Sequence, residues 1–211
     1  MQNSKAAANS YFFVSHWRVP GKAEQVFELF RDVERLPQWW PAVYLNVEVQ
    51  EQGGRHGIGR RVALRTRGWL PYSLNWQLTI REVVFPSRIS LDATGDLLGQ
   101  GTWHLAQDGE YVDITYDWEV LANKPLLKWL SPLLKPLFAF NHRWAMRQGE
   151  ASLRLELQRM QAPSLEKALE IPPPPGPEPA LKTWALLGGA AGLLTALAWG
   201  AHLLTRRKPK V

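Results

Sequence analysis

Three long runs of strict alternation constrain this chain more than any other feature. Val43, Leu45, Val47 and Val49 alternate with Tyr44, Asn46, Glu48 and Gln50; Tyr72, Leu74, Trp76, Leu78 and Ile80 alternate with Ser73, Asn75, Gln77, Thr79 and Arg81; Val112, Ile114, Tyr116, Trp118 and Val120 alternate with Asp113, Thr115, Asp117 and Glu119. A period of two sends successive side chains to opposite faces, so each run is a strand with one apolar and one polar face. Residues 11–19, 62–67, 88–93 and 102–106 repeat the pattern over shorter spans, which brings the count to about seven strands. Gly53-Gly54, Gly57 and Gly59, Gly95 to Gly101, and Asp108-Gly109 read as the hairpin turns between them. Such a sheet is antiparallel and covered on one face only.

The cover must come from the helical segments. Ala23 to Asp32 spaces Val26, Phe27, Leu29 and Phe30 as a helix does, and Leu36-Pro37-Gln38-Trp39-Trp40-Pro41 predicts a short helix and a tight corner. Near the end of the body, Lys124 to Leu130 is a short apolar helix, Pro132 and Pro136 interrupt it, and Leu137 to Met160 is a long helical run. Residues 10–160 therefore form one α+β domain behind a tail of residues 1–9. A body of this size buries about 70% of the surface its unfolded chain exposes, enough for a sizeable core.

Beyond the body, residues 161–182 are a linker; Gln161 to Leu181 hold seven of the chain's 16 prolines, including Pro172 to Pro175 in succession. That composition predicts a semi-rigid polyproline stalk or a plain disordered spacer. Thr183 to Thr205 is then an uncharged run of 23 residues, long enough for a transmembrane helix, with Trp184 and Trp199 toward its ends. Gly188 and Gly192 give it a small-residue face that permits a homodimer. The basic tail, residues 206–211, holds Arg206, Arg207, Lys208 and Lys210; without these four the chain carries 21 Lys and Arg against 19 Asp and Glu. The net charge of +6 thus reflects a tail, and no nucleic-acid partner is expected. Charge bias alone would keep the tail in the cytoplasm, but residues 1–9 have no signal-peptide pattern, so the expectation is a single-pass, tail-anchored membrane protein with a cytoplasmic body.

Two stretches carry a family likeness: Pro20-Gly21-Lys22-Ala23-Glu24-Gln25-Val26-Phe27 leading to Leu36-Pro37-Gln38-Trp39-Trp40-Pro41, and Asn141-His142-Arg143-Trp144-Ala145-Met146-Arg147-Gln148-Gly149-Glu150 in the last helix. With the order strand, two helices, six strands, long helix, the body resembles the START-like (SRPBCC) superfamily, and within it the polyketide cyclase/dehydrase-type proteins. The resemblance spans about 150 residues, essentially the whole body. It implies the helix-grip fold, a curved antiparallel sheet wrapped round the C-terminal helix with an apolar cavity between them. No particular reaction is implied, since members include lipid-transfer modules, aromatase/cyclases, plant hormone receptors and coenzyme Q-binding proteins.

Within that frame Tyr72, Trp76, Trp103, Tyr116 and Trp118 are the expected ligand-binding residues, being large rigid rings on the apolar strand faces. The same rings could equally fill a solid core. Catalytic signals are sparse. The chain has no Cys, so thiolate metal sites and cysteine nucleophiles are excluded, and its five histidines form no metal-ligand pattern; no metal and no cofactor are expected. His142, on the long helix, is the candidate general acid or base; His104 shares parity with Thr102 and Ala106 and should face solvent. Arg61, Arg65 and Arg67 share the outward face of one strand, beside an exposed Trp69 at the turn, and form a candidate patch for anionic lipid. The apolar stretch 124–140 is a second candidate membrane contact.

Three functions remain open. The first is a membrane-anchored domain binding a hydrophobic ligand (lipid, isoprenoid or quinone, or polyketide-like). The second is an aromatase/cyclase-type enzyme on a polyketide-like substrate. The third is a protein-interaction scaffold with a filled core that meets its partner through the arginine hairpin or Trp39-Trp40.

Overall fold

The alternating runs assemble into one antiparallel sheet. The structure, a computed structural model, describes residues 10–122 and 125–177, the side chains of 122–134 excepted. The strands are β1 (Ser10–Pro20), β2 (Tyr44–Glu51), β3 (Arg61–Arg67), β4 (Ser73–Val84), β5 (Arg88–Gly95), β6 (Leu97–Asp108) and β7 (Tyr111–Ala122), in the spatial order β1-β7-β6-β5-β4-β3-β2. Every neighbour except β1 with β7 is reached by a short hairpin. Between β1 and β2 lie α1 (Ala23–Arg31), a 3-10 turn at Val33–Arg35 and α2 (Leu36–Trp39); after β7 come α3 (Pro125–Gln161) and α4 (Leu165–Glu170). The result is an α+β fold with a seven-stranded sheet and a long helix, and α3 packs against β1, β7 and α2.

Side-chain patterning decides which face is covered. On β1, Tyr11, Trp17 and Val19 are buried while Phe12, Val14, His16 and Arg18 are exposed. On α1 the buried residues include Val26, Phe27, Leu29 and Phe30, the four at helical spacing. One side chain, Gln107, ties the sheet to the start of α1: its Oε1 accepts from the Ala23 N–H at 2.8 Å, and its Nε2 donates to the Gly21, Gly109 and Tyr111 carbonyls at 3.0 Å. At the far end of α3, Glu156 is buried and accepts from Arg35 at 2.5 Å and Arg159 at 3.3 Å, fixing the helix to the turn before α2.

Several expectations need correction. The turn at Gly95 to Gly101 is shorter than expected: β5 and β6 reverse about Asp96, with Ala93 opposite Gly99, and Gly99 and Gly101 lie inside β6 opposite Val120 and Trp118. A glycine in a strand can mark close approach rather than reversal. The helix is not interrupted at Pro132 or Pro136; α3 is helical from Pro125 onward. Each proline removes one N–H and crowds one carbonyl, yet the helical run continues through both. Part of the linker is also ordered: Ser164 caps α4, its Oγ accepting from the Lys167 N–H at 3.3 Å, and Arg159 donates to the Pro172 carbonyl.

No helix among the described residues is long and apolar enough to cross a membrane. The expected span at 183–205, its glycine face, the basic tail at 206–211 and the N-terminal tail at 1–9 lie outside the described residues, as do residues 178–182 of the linker and most side chains of the 124–140 stretch.

Candidate functional site

Between the inner face of the sheet and α3 lies a cavity of about 160 Å³. Its walls follow from strand parity. Tyr11 and Phe13 of β1, Trp118 and Tyr116 of β7, Trp103 of β6 and Trp76 of β4 point inward, and Phe138, His142 and Met146 of α3 close the other side. At one end sit Tyr11, Tyr72, Leu97, Phe138 and Asn141; at the other, nearest α2, sit Trp40, Tyr44, Trp103 and Tyr116.

The rings form a connected wall. Trp103 and Tyr116 stack at 3.9 Å, Tyr116 and Trp118 at 5.6 Å, and Trp118 meets Trp76 at 5.8 Å. Two glycines make room for it. A Cβ on Gly101 would stand 2.6 Å from the Tyr116 hydroxyl and 2.7 Å from Trp118 Cε3. On α3, a Cβ on Gly149 would stand 2.5 Å from Trp40 Cε2 and 2.7 Å from Trp17 Cη2. Trp76 anchors its one polar atom by donating from Nε1 to Thr66 Oγ1 at 2.9 Å.

His142 is the most constrained polar group of the cavity. Its ring stacks on Phe13 at 4.2 Å and 13°, and Nε2 lies 3.2 Å from Ser15 Oγ. Neighbouring Asn141 accepts from the Leu70 N–H at 2.9 Å, which steadies the β3–β4 turn against α3. Burial, reinforced by the Arg143 charge, lowers His142 from 6.5 to about 4, so the imidazole is neutral at pH 7. Burial likewise pushes the phenols of Tyr44, Tyr72 and Tyr116 upward, keeping them protonated. No cluster of three or more acidic or histidine side chains that could hold a metal exists among the described residues.

The His142 shift predicts a pH dependence. The unfolded chain takes up this proton near pH 6.5 and the folded protein only near 4, so between these values the unfolded state binds more protons and stability falls as pH drops. The loss approaches about 3 kcal/mol below the lower value. In His142→Phe that part of the acid slope should disappear; denaturant unfolding at several pH values measures it, and parallel slopes for the two proteins would refute the assignment.

All five ring residues singled out in the sequence line this one cavity, and so does His142. His104 is exposed, 3.3 Å from Asp117 Oδ2, and His16 is exposed, 3.2 Å from Thr115 Oγ1. The proposed lipid patch is less uniform than its parity implied. Arg61 pairs with Glu51 at 3.0 Å and Arg65 is exposed, whereas Arg67 lines the cavity. Trp69 is half-buried, edge-on to Phe140 at 5.3 Å, not an exposed ring. Trp39 and Trp40 are 0% and 3% exposed, so the pair has no surface to offer a partner protein.

Sequence reasoning missed Tyr44, Trp40, Phe13 and Asn141 as cavity residues. Phe13 shares parity with Tyr11 and Trp17 and was within reach of the alternation argument. Tyr44 was not, because the register of β2 with β3 shifts between Tyr44 and Asn46 and turns Tyr44 inward against the run's parity.

Residues 19–156 match the family described as polyketide cyclase / dehydrase and lipid transport. No curated protein matches the sequence. Among solved structures, an aromatase/cyclase from Streptomyces sp. R1128, Zhui, superposes with a TM-score of 0.58 at 17% identity, over 73% of this chain and 97% of that one. A START superfamily protein from Mycobacterium smegmatis gives 0.57 at 15% identity, over 71% and 98%. A protein from Thermus thermophilus gives 0.54 at 19%, over 67% and 96%. At these identities the likeness is one of fold.

Proposed function

The chain belongs to the polyketide cyclase / dehydrase and lipid transport family, and from that premise we propose that it binds a hydrophobic small molecule, lipid-, isoprenoid- or polyketide-like, in the cavity between the sheet and α3. The observation that carries this reading is the cavity itself. Six of the inward rings surround open space in the core, which argues against a filled scaffold. An aromatic lining with few polar atoms favours flat or chain-like apolar molecules over sugars or nucleotides.

A cyclase-type enzyme is the second reading, favoured by the Ser15–His142 pair beside the cavity and by the name of the Streptomyces structure. Against it, a histidine that protonates only near 4 is a weak base at neutral pH and holds no proton to give as an imidazolium. Binding is therefore the reading we adopt. The uncharged run Thr183 to Thr205 supports a membrane tether, which would raise the concentration of the body at the bilayer where such ligands reside.

One preparation tests both parts. Full-length protein is expected in the membrane fraction, and a chain ending at Lys182 in the soluble one. Organic extraction of the purified full-length protein, followed by mass spectrometry, should yield one hydrophobic compound in stoichiometric amount. An extract with nothing bound, together with failure to take up apolar fluorescent probes, would refute the binding function; a full-length chain that stays soluble would refute the tether.

A further inference from the structure

The polar atoms of the cavity are unevenly served. Near the Tyr72 end the polar atoms of α3 are served, His142 Nε2 by Ser15 and Asn141 Oδ1 by the Leu70 N–H, and the Tyr72 hydroxyl stands there as a single donor. Trp76 Nε1 has Thr66. At the end nearest α2, the hydroxyls of Tyr44 and Tyr116 have no hydrogen-bond partner among the described residues, although both side chains line the cavity. The indole N–H of Trp40, in the same corner, is also without one. That N–H is closed off behind the lining, and no acidic side chain lines the cavity among the described residues, so the two hydroxyls face no carboxylate.

Buried polar groups are nearly always hydrogen-bonded, and an exception in a cavity points to what the cavity receives. We infer that the bound molecule carries a carbonyl-type oxygen at the end that reaches α2, and that the hydroxyls of Tyr44 and Tyr116 donate to it. The inference rests on the binding function proposed above and adds the ligand's polarity and orientation. Geometry holds both donors in place. Tyr116 is stacked on Trp103 at 3.9 Å, with its hydroxyl over the position where Gly101 lacks a side chain; Tyr44 is set edge-on against Trp40 at 5.2 Å. The two phenols are close enough that the charge of one opposes ionisation of the other, and burial raises both well above the usual phenol range. They therefore act as neutral donors across the physiological range, suited to an uncharged carbonyl oxygen.

The test uses two probes that differ at one group, 2-acetylnaphthalene and 2-ethylnaphthalene, with full-length protein and equilibrium dialysis. Tyr44→Phe and Tyr116→Phe keep the rings and remove only the hydroxyls. Each should weaken the ketone roughly 3- to 10-fold and leave the hydrocarbon unchanged or slightly tighter. In the wild-type protein, the carbonyl stretch of bound 2-acetylnaphthalene should also fall in frequency, and in the double variant it should return toward its value in an apolar solvent. If both probes bind but the variants treat them alike, or the stretch does not move, the inference is overturned and the binding function stands. If neither probe binds the wild-type protein, both are overturned.

Discussion

Gly149→Ala is expected to destabilise the domain by about 2 kcal/mol or more, although alanine in a helix interior ordinarily stabilises by roughly 1 kcal/mol relative to glycine. The sign reverses because of what lies above position 149. The new methyl would stand 2.5 Å from Trp40 Cε2 and 2.7 Å from Trp17 Cη2, and neither contact is with the flexible tip of a side chain. Trp17 and Trp40 are themselves edge-to-face at 5.4 Å, and Trp40 adjoins the fully buried Trp39, so relief requires either breaking up this ring cluster or moving α3 from the sheet. Denaturant unfolding of Gly149→Ala, Trp40→Phe and the double variant measures it. A favourable coupling in that cycle, with the double variant more stable than the two single losses together imply, locates the strain between these residues. A neutral or stabilising Gly149→Ala would show that the helix sits farther from the tryptophans than described.

Gly101→Val should act on binding more than on folding. Valine suits a central strand, but its Cβ would enter space held by the Tyr116 hydroxyl and Trp118 Cε3, at 2.6 and 2.7 Å. The easiest relief is for both rings to swing into the adjoining cavity, since that is the nearest unfilled volume. A ligand would then have to push them back against an overpacking strain of about 1–3 kcal/mol, equivalent to an affinity loss on the order of tenfold or more. Uptake of an apolar fluorescent probe, with thermal unfolding alongside, checks both halves. Undiminished uptake by a stably folded Gly101→Val would mean that the cavity is not bounded by these two rings.

Much of the fold was legible because period-two alternation is a local signal. It identified the inward faces of β4 and β7 and so brought Tyr72, Trp76, Tyr116 and Trp118 to one cavity. The errors arose where the deciding partner was remote in sequence. Gly99 and Gly101 look like turn residues until the backbone and rings of residues 116–120 are seen beside them. Pro132 and Pro136 are a different case: local rules read them as helix stops, yet the helical run continues through both. Tyr44 entered the cavity through a register shift against β3, which nothing within β2 announces. Arg67 belonged by parity with Arg61 and Arg65, yet it sits at the last residue of β3, where the strand gives way to the turn under Asn141. Function was less legible than fold, because the polar atoms that distinguish a binding cavity from a filled core come from β1, β2, β7 and α3 together.

The pairing of β1 with β7 sets when the cavity can exist. Ser10 lies opposite Leu121 and Pro20 opposite Tyr111, whereas β2 through β7 are each joined to the next by a short connection. Those six strands can zip as local hairpins while the chain is still being made; β1 must wait across about 90 residues of intervening chain, the slow kind of contact. Phe13 and Ser15, which fix His142, belong to that waiting strand, and His142 to the helix that follows the last one. A nascent chain therefore has a sheet before it has a cavity. A ligand that bridges β1, β7 and α3 can bind only the finished molecule, and in doing so it holds together the two parts of the body that meet last.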